Sequence, residues 1–107
     1  MNAVDSSAWI AYFRGEPNAE RFAAPIEDPE QLLLPSIALT EVFRFLGRHQ
    51  DEESALEAVA HKDRGVVVPL DGSLAVKAAE VGLALGLPLA DSIIYATARQ
   101  HDAVLWT

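Results

Sequence analysis

Three acidic residues stand in apolar surroundings and lie far apart in the chain. Asp5 follows the apolar start "MNAV", Glu41 lies in "IALTEVFRFLG", and Asp91 lies in "LPLADSIIYATA". Carboxylates that converge repel one another, so they need a cation or a raised pKa. A small number of hard oxygen ligands suits Mg²⁺ or Mn²⁺. A metal held in this way activates water, so these residue types predict phosphodiester hydrolysis if the fold brings them together.

Two of these acids also have a purely structural interpretation as helix caps. Asp5 could cap the helix that begins with the serines after it, and Asp91 follows Pro88 closely enough to be a natural N-cap. Against the cap at Asp91, Ile94 stands where a capping box needs Glu or Gln. From the residues alone, cap and ligand are evenly matched for Asp91.

Glu41 is harder to explain as a surface residue. Its helical neighbours at four residues' distance are Ile37 and Phe45, and a buried carboxylate without a partner is costly. The alternative is an exposed glutamate paired with Arg44 at i+3. We favour the functional interpretation. Arg48 lies on the same face and could contact a phosphate, although a surface arginine balancing the helix C-terminus is the favoured interpretation.

Short apolar runs alternate with helical segments along the chain, and glycines and prolines separate them. The predicted strands cover residues 1–5, 31–36, 64–70 and 103–107, and the predicted helices cover 6–14, 18–25, 37–48, 51–63, 71–86 and 89–102. The strands are continuously apolar rather than alternating, which is typical of a parallel sheet covered on both faces. The sequence therefore predicts a single three-layer α/β domain over residues 1–107.

The predicted helices carry several end signals. Ser36 is expected to cap the third helix, and either Asp71 or Ser73 the fifth, which Gly86 should end. The fourth helix has acids in its first turn and Lys62 in its last, which complements the helix dipole.

In parallel sheets, ligands bind beyond the carboxyl ends of the strands, near the point where strand order reverses. Asp5 stands at the carboxyl end of the first predicted strand. Its position therefore strengthens the functional interpretation.

Composition excludes several other chemistries. There is no cysteine, so disulfides, zinc–thiolate sites and cysteine nucleophiles are excluded, and the phosphate-loop and serine-elbow motifs are missing. No leader or membrane-spanning run is visible, so we expect a cytoplasmic protein. The net charge of −8 argues against a basic nucleic-acid interface. An acidic site can still reach phosphates through divalent cations, and this surface also suits a basic protein partner.

Three motifs, "VDSSAWIAYF" at 4–13, "TEVF" at 40–43 and "LPLADSIIYATAR" at 87–99, together resemble PIN-domain ribonucleases. The nearest resemblance is to the toxin of VapBC toxin–antitoxin pairs. It implies an α/β/α sandwich and a Mg²⁺- or Mn²⁺-dependent endoribonuclease whose acidic cluster is Asp5, Glu41 and Asp91. It also implies a homodimer, RNA as substrate, and an antitoxin whose C-terminal segment brings a basic side chain into the acidic groove.

The resemblance has one departure at the C-terminus. Similar proteins carry a fourth acid one or two residues beyond the last strand's threonine, followed by a closing helix and strand. This sequence ends at Thr107. We therefore expect a domain truncated at its C-terminus, with one carboxylate fewer and an open sheet edge.

Two other functions fit parts of the sequence. The first is a non-catalytic interaction module that keeps the fold but has no nuclease activity. A phosphoacceptor receiver domain is the other, because Asp71 follows the strand "GVVVPL". Such domains need paired acids after the first strand and a late lysine, whereas Asp5 is followed by Ser6 and the lysines are Lys62 and Lys77. The receiver is therefore the weaker alternative.

Overall fold

A parallel sheet of four strands forms the middle of the computed structural model, which describes residues 1–60 and 64–107. Short 3₁₀ helices (Pro17–Phe22 and Pro29–Gln31) lie between the first and second strands. The strands and α-helices, in chain order, are β1 (Asn2–Val4), α1 (Ser6–Arg14), α2 (Ala23–Ile26), β2 (Leu32–Pro35), α3 (Ser36–His49), α4 (Glu52–Val59), β3 (Val66–Val68), α5 (Gly72–Leu85), α6 (Leu89–Gln100) and β4 (Val104–Trp106).

The strand order β3-β2-β1-β4 places β1 inside the sheet. Every neighbouring pair is parallel, and Ala3 of β1 lies opposite both Leu33 of β2 and Leu105 of β4. The chain moves from β1 to β2 and β3 on one side, and β4 then joins the other side of β1. Strand order therefore reverses between β1 and β4, where Asp5 follows β1. The predicted parallel sheet is confirmed.

Alternate residues of the inner strands point to opposite faces of the sheet. Val4, Leu32 and Leu34 pack against α1, α3 and α4. Ala3 and Leu33 pack against α5 and α6 on the other face. Helices thus cover both faces, and the predicted three-layer α/β/α sandwich is confirmed.

The outer strands are less buried than the sequence suggests. Val66 and Val67 of β3 and Val104 of β4 are exposed. The expectation that every strand is covered on both faces is correct for β1 and β2 and wrong for these edges. The helices pack over the central strands, so an apolar run at an edge keeps part of its surface in water.

The ends of α5 follow the local signals. Asp71, rather than Ser73, is its N-cap and accepts a hydrogen bond from the Leu74 N–H at 2.8 Å. Gly86 ends the helix in the left-handed region, at φ 67°.

Among the described residues, no single helix is long and apolar enough to cross a membrane; α5 and α6 reach that threshold only as a pair bent by 112°.

Two predicted helix features differ in the structure. Pro35, not Ser36, is the N-cap of α3, because β2 passes directly into the helix, and no side chain caps it. The predicted helix over 18–25 is a 3₁₀ turn followed by the short α2. The predicted last turn of α4, with Lys62, falls in 61–63 and lies outside the described residues.

Leu46→Ala should destabilise the fold, because Leu46 of α3 is 0% exposed in the core between the sheet and the helices. We expect a loss of about 3 kcal/mol in the free energy of unfolding, measured by urea denaturation. The matched control is Leu56→Ala on α4, since Leu56 is 53% exposed. That change should cost less than about 0.5 kcal/mol. Equal unfolding midpoints for the two variants would contradict this packing.

Candidate active site

Asp5 both caps α1 and faces the carboxyl edge of the sheet. Its backbone N–H donates to the Trp106 carbonyl at 3.0 Å, which joins the end of β1 to the end of β4. Its Oδ1 accepts from the Ala8 N–H at 2.9 Å and from the Ser7 hydroxyl at 2.8 Å. Within the described part of the chain, no hydrogen bond reaches Oδ2. The predicted cap is therefore confirmed, and one carboxylate oxygen is left for another partner.

Glu41 is half-buried on α3 and is held by a serine rather than by an arginine. The Ser6 hydroxyl donates to Glu41 Oε1 at 2.5 Å, and Ser6 is only 8% exposed. No ion pair between Glu41 and Arg44 occurs among residues 1–60 and 64–107. The structural alternative of an i+3 pair is therefore wrong. A bond across 35 residues instead ties α3 to the start of α1.

Ser6 is the residue that sequence reasoning missed. Because it opens α1, it was interpreted only as a helix-start residue. The available signal was a hydroxyl directly after an acid at a strand end. Such a group can orient a carboxylate that arrives from another element.

Asp91 is not the cap of α6. The N-cap is Pro88, which leaves Asp91 in the first helical turn with no capping hydrogen bond. Its side chain is exposed, and its charge is favourable near the helix N-terminus. The cap interpretation is therefore wrong, because the helix begins earlier than that interpretation requires.

The fold brings the three predicted acids to one place. Asp5, Glu41 and Asp91 line a single open cleft of about 350 Å³, together with Ser6, Ser7, Ile10 and Phe45. We call it the acidic cleft. Asp5 and Asp91 also border an adjoining cleft beside β4. Three acids from separate parts of the sequence thus surround one volume at the predicted edge of the sheet.

The side-chain atoms in the acidic cleft that could ligate a metal are of the kind that a hard divalent cation binds. All are oxygen atoms, from carboxylates and hydroxyls, which Mg²⁺ and Mn²⁺ prefer. No group of three acidic or histidine side chains in the described ranges is close enough to form a ready-made metal site. Glu41 is engaged with Ser6. The three carboxylates are suitable ligands for such an ion. Because they do not form a ready-made site, they have to approach one another to bind it.

The chain was compared with models of protein families and with curated protein sequences. The model of the PIN domain family matches residues 3–107. No curated protein sequence gives a significant match.

Solved structures share the fold. A toxin–antitoxin complex from Klebsiella pneumoniae aligns with TM-score 0.80 and 23% identity, covering 100% of this chain and 85% of the other. VapC20 of Mycobacterium tuberculosis, a toxin that cleaves the sarcin–ricin loop, aligns with TM-score 0.82 and 20% identity, covering 96% and 85%. VapBC2 of Rickettsia felis, bound to a promoter DNA fragment, gives 0.76 and 13%, covering 99% and 86%. At these identities the likeness establishes a common fold.

The two roles of Asp5 can be separated by substitution. Asp5→Ala removes the acceptor for the Ala8 N–H and should cost about 1 kcal/mol of unfolding free energy. Asp5→Asn keeps an oxygen at the cap and should stay close to the wild type, since Asn caps about as well as Asp. Urea denaturation measures both. An Asp5→Ala variant as stable as the wild type would refute the capping role.

Proposed function

The chain belongs to the PIN domain family, and we propose that it is a Mg²⁺- or Mn²⁺-dependent endoribonuclease that hydrolyses RNA phosphodiester bonds. The observation that carries this proposal is the convergence of Asp5, Glu41 and Asp91 on the acidic cleft. They come from the end of β1, from α3 and from the first turn of α6. Neither Glu41 nor Asp91 caps its helix, so helix capping does not account for their position in the acidic cleft.

The cation explains how an acidic cleft would accept a phosphate. Without it, three carboxylates repel a polyanion; with it, the sign of the local charge inverts. When bound by Asp5, Glu41 and Asp91, the ion would lower the pKa of a water and polarise the phosphate. The chain's own part is positioning: α1 holds the Asp5 carboxylate through the Ala8 N–H, and Ser6 holds Glu41.

We also propose that the protein is the toxin of a toxin–antitoxin pair and acts in the cytoplasm. Structures of toxin–antitoxin complexes with the same fold support this role. A basic segment of the antitoxin would complement both the acidic cleft and the net charge of −8.

A homodimer is the third element of the proposal. Large apolar side chains remain exposed on α5 and at the start of α6: Val76, Leu83, Leu85 and Leu89. Exposed apolar surface of this kind is typical of a protein–protein interface.

One observation favours a non-catalytic module as the second candidate, namely that the carboxylates are not preassembled around a metal position among the described residues. Calorimetry with Mn²⁺ separates the two: the nuclease binds Mn²⁺ and Asp91→Asn weakens that binding, whereas the module does not bind it. The receiver-domain alternative fails, because the chain is a PIN domain and Asp71 caps α5.

Removing the charge of any of the three acids should abolish most RNA cleavage. For Asp5→Asn, Glu41→Gln and Asp91→Asn we expect at least about a 100-fold loss of rate, about 3 kcal/mol in the barrier, because each removes a charge that holds the cation. The rate is measured by the cleavage of a labelled single-stranded RNA in the presence of Mn²⁺ or Mg²⁺. Asp28→Asn, at an exposed acid outside the cleft, is the control. Wild-type activity in all three variants would refute the proposal.

Ser6→Ala should lower cleavage about 10-fold without removing an acid, because Glu41 loses the hydroxyl that orients it. We expect the Mn²⁺ concentration for half-maximal activity to rise, which a merely structural role would not produce. Ser73→Ala on α5 is the matched control, since Ser73 is exposed and does not line the cleft. An unchanged Mn²⁺ dependence in Ser6→Ala would contradict the positioning role.

A further inference from the structure

A second cleft of opposite charge borders the acidic cleft. It has a volume of about 360 Å³, and its lining includes Glu41, Arg44, Phe45, Arg48 and His49. We call it the basic cleft. Glu41 and Phe45 line both clefts, so the two are continuous along α3. A chain that entered the basic cleft would therefore lead directly to the three acids.

The two arginines of the basic cleft are available to bind anions. Arg44 and Arg48 are four residues apart on α3, which places them on one face with a rise of about 6 Å between them. Both side chains are exposed, and neither forms an ion pair with any residue that the structure describes. In a chain of net charge −8, two neighbouring arginines on one helix face form a local exception to the surface charge.

An aromatic pair lies beside these arginines. The rings of Phe45 and His49 are 4.3 Å apart between centroids, tilted by 38°. Phe45 is half-buried and also has the Arg14 guanidinium 5.5 Å from its ring centroid. His49 is exposed. Phe45 therefore supports the His49 ring from within, and the outer face of His49 is accessible.

We propose that the basic cleft holds single-stranded RNA next to the acidic cleft, with Arg44 and Arg48 on backbone phosphates and His49 stacked on a base. This inference rests on the proposed nuclease function and adds the path of its substrate. A positive groove combined with an exposed ring is the arrangement that binds unpaired strands. A base in a duplex does not offer its face to such a ring. An acidic protein segment would use the arginines but has no need of the ring.

The first experiment compares two double variants of equal charge. Arg44→Gln/Arg48→Gln removes the cations of the basic cleft. Lys77→Gln/Arg99→Gln removes two cations from a separate cleft between α5 and α6. Fluorescence anisotropy of a labelled, unstructured RNA of about 12 nucleotides, in EDTA, measures binding at several NaCl concentrations. The first variant should bind about 10-fold more weakly, with a salt slope reduced by about 1.4, and the control should match the wild type.

The second experiment tests the stacking contact. His49→Ala should weaken single-strand binding about 10-fold, whereas His101→Ala, at an exposed histidine beyond α6, should not. The wild type should also bind the single strand more tightly than a duplex of the same sequence. Equal affinity for the two forms, or equal binding by both histidine variants, would overturn the stacking assignment.

The outcomes separate this inference from the proposed function. If the wild type cleaves RNA and the two double variants bind RNA equally well, the basic cleft does not bind the substrate. The proposed nuclease function would stand in that case. RNA binding that depends on Arg44 and Arg48, without cleavage in Mn²⁺, would support the cleft and refute the nuclease. If Arg44→Gln/Arg48→Gln changed the elution volume in size-exclusion chromatography but not RNA binding, the face would be an interface between copies, and the inference would be wrong.

Discussion

The parallel pairing of β1 with both β2 and β4 fixes where the acidic cleft forms. Parallel strands end at the same edge, so the segments that follow β1 and β2 begin there. Helix α6, which returns the chain to the amino end of β4, also begins at this edge, because Asp91 of its first turn lines the acidic cleft. The hydrogen bond from the Asp5 N–H to the Trp106 carbonyl continues this pairing past the last residue of β1. The indole of Trp106 also donates to Asn2 Oδ1 at 3.1 Å, so β4 is held at both ends of β1.

Polar groups at this edge depend on neighbours that are distant in sequence. Ser6 is nearly buried, and a buried hydroxyl without a partner carries a desolvation cost. Glu41 supplies the partner, and the same bond keeps a carboxylate among apolar helix neighbours. The bond therefore satisfies two groups that would each be costly alone. It also fixes the Glu41 carboxylate beside the residue that directly follows Asp5.

Charge has to be considered locally in this protein. The net charge of −8 argues against contact with a polyanion. Two arginines of α3 without ion pairs in the described ranges nevertheless line a cleft together with Glu41. Interactions between exposed charges fall off over roughly 10 Å in ordinary salt, so these arginines act on what enters their own cleft more than the distant acids do. A divalent cation in the acidic cleft would extend this positive region to the edge of the sheet.

Features that depend on short-range chemistry could be predicted from the residue order alone. The cap at Asp5, the end of α5 at Gly86 and the apolar runs of β1 and β2 follow from neighbours within a few residues. The alternation of continuous apolar runs with helices predicted the parallel sheet. Motif resemblance also identified the three acids, although residue types alone left Asp91 undecided between cap and ligand.

Contacts between distant segments could not be predicted in this way, because they depend on how the helices and strands pack. The partner of Glu41 lies 35 residues away, on another helix, so no helical periodicity could indicate it. The exposure of Val66 and Val104 depends on which strands are at the edges, and strand order is a property of the whole chain. The joining of an acidic and a basic cleft along α3 likewise requires α1 and α6 to pack at the same edge of the sheet. Local propensity specifies elements, whereas burial and electrostatics at a site are set by what those elements pack against.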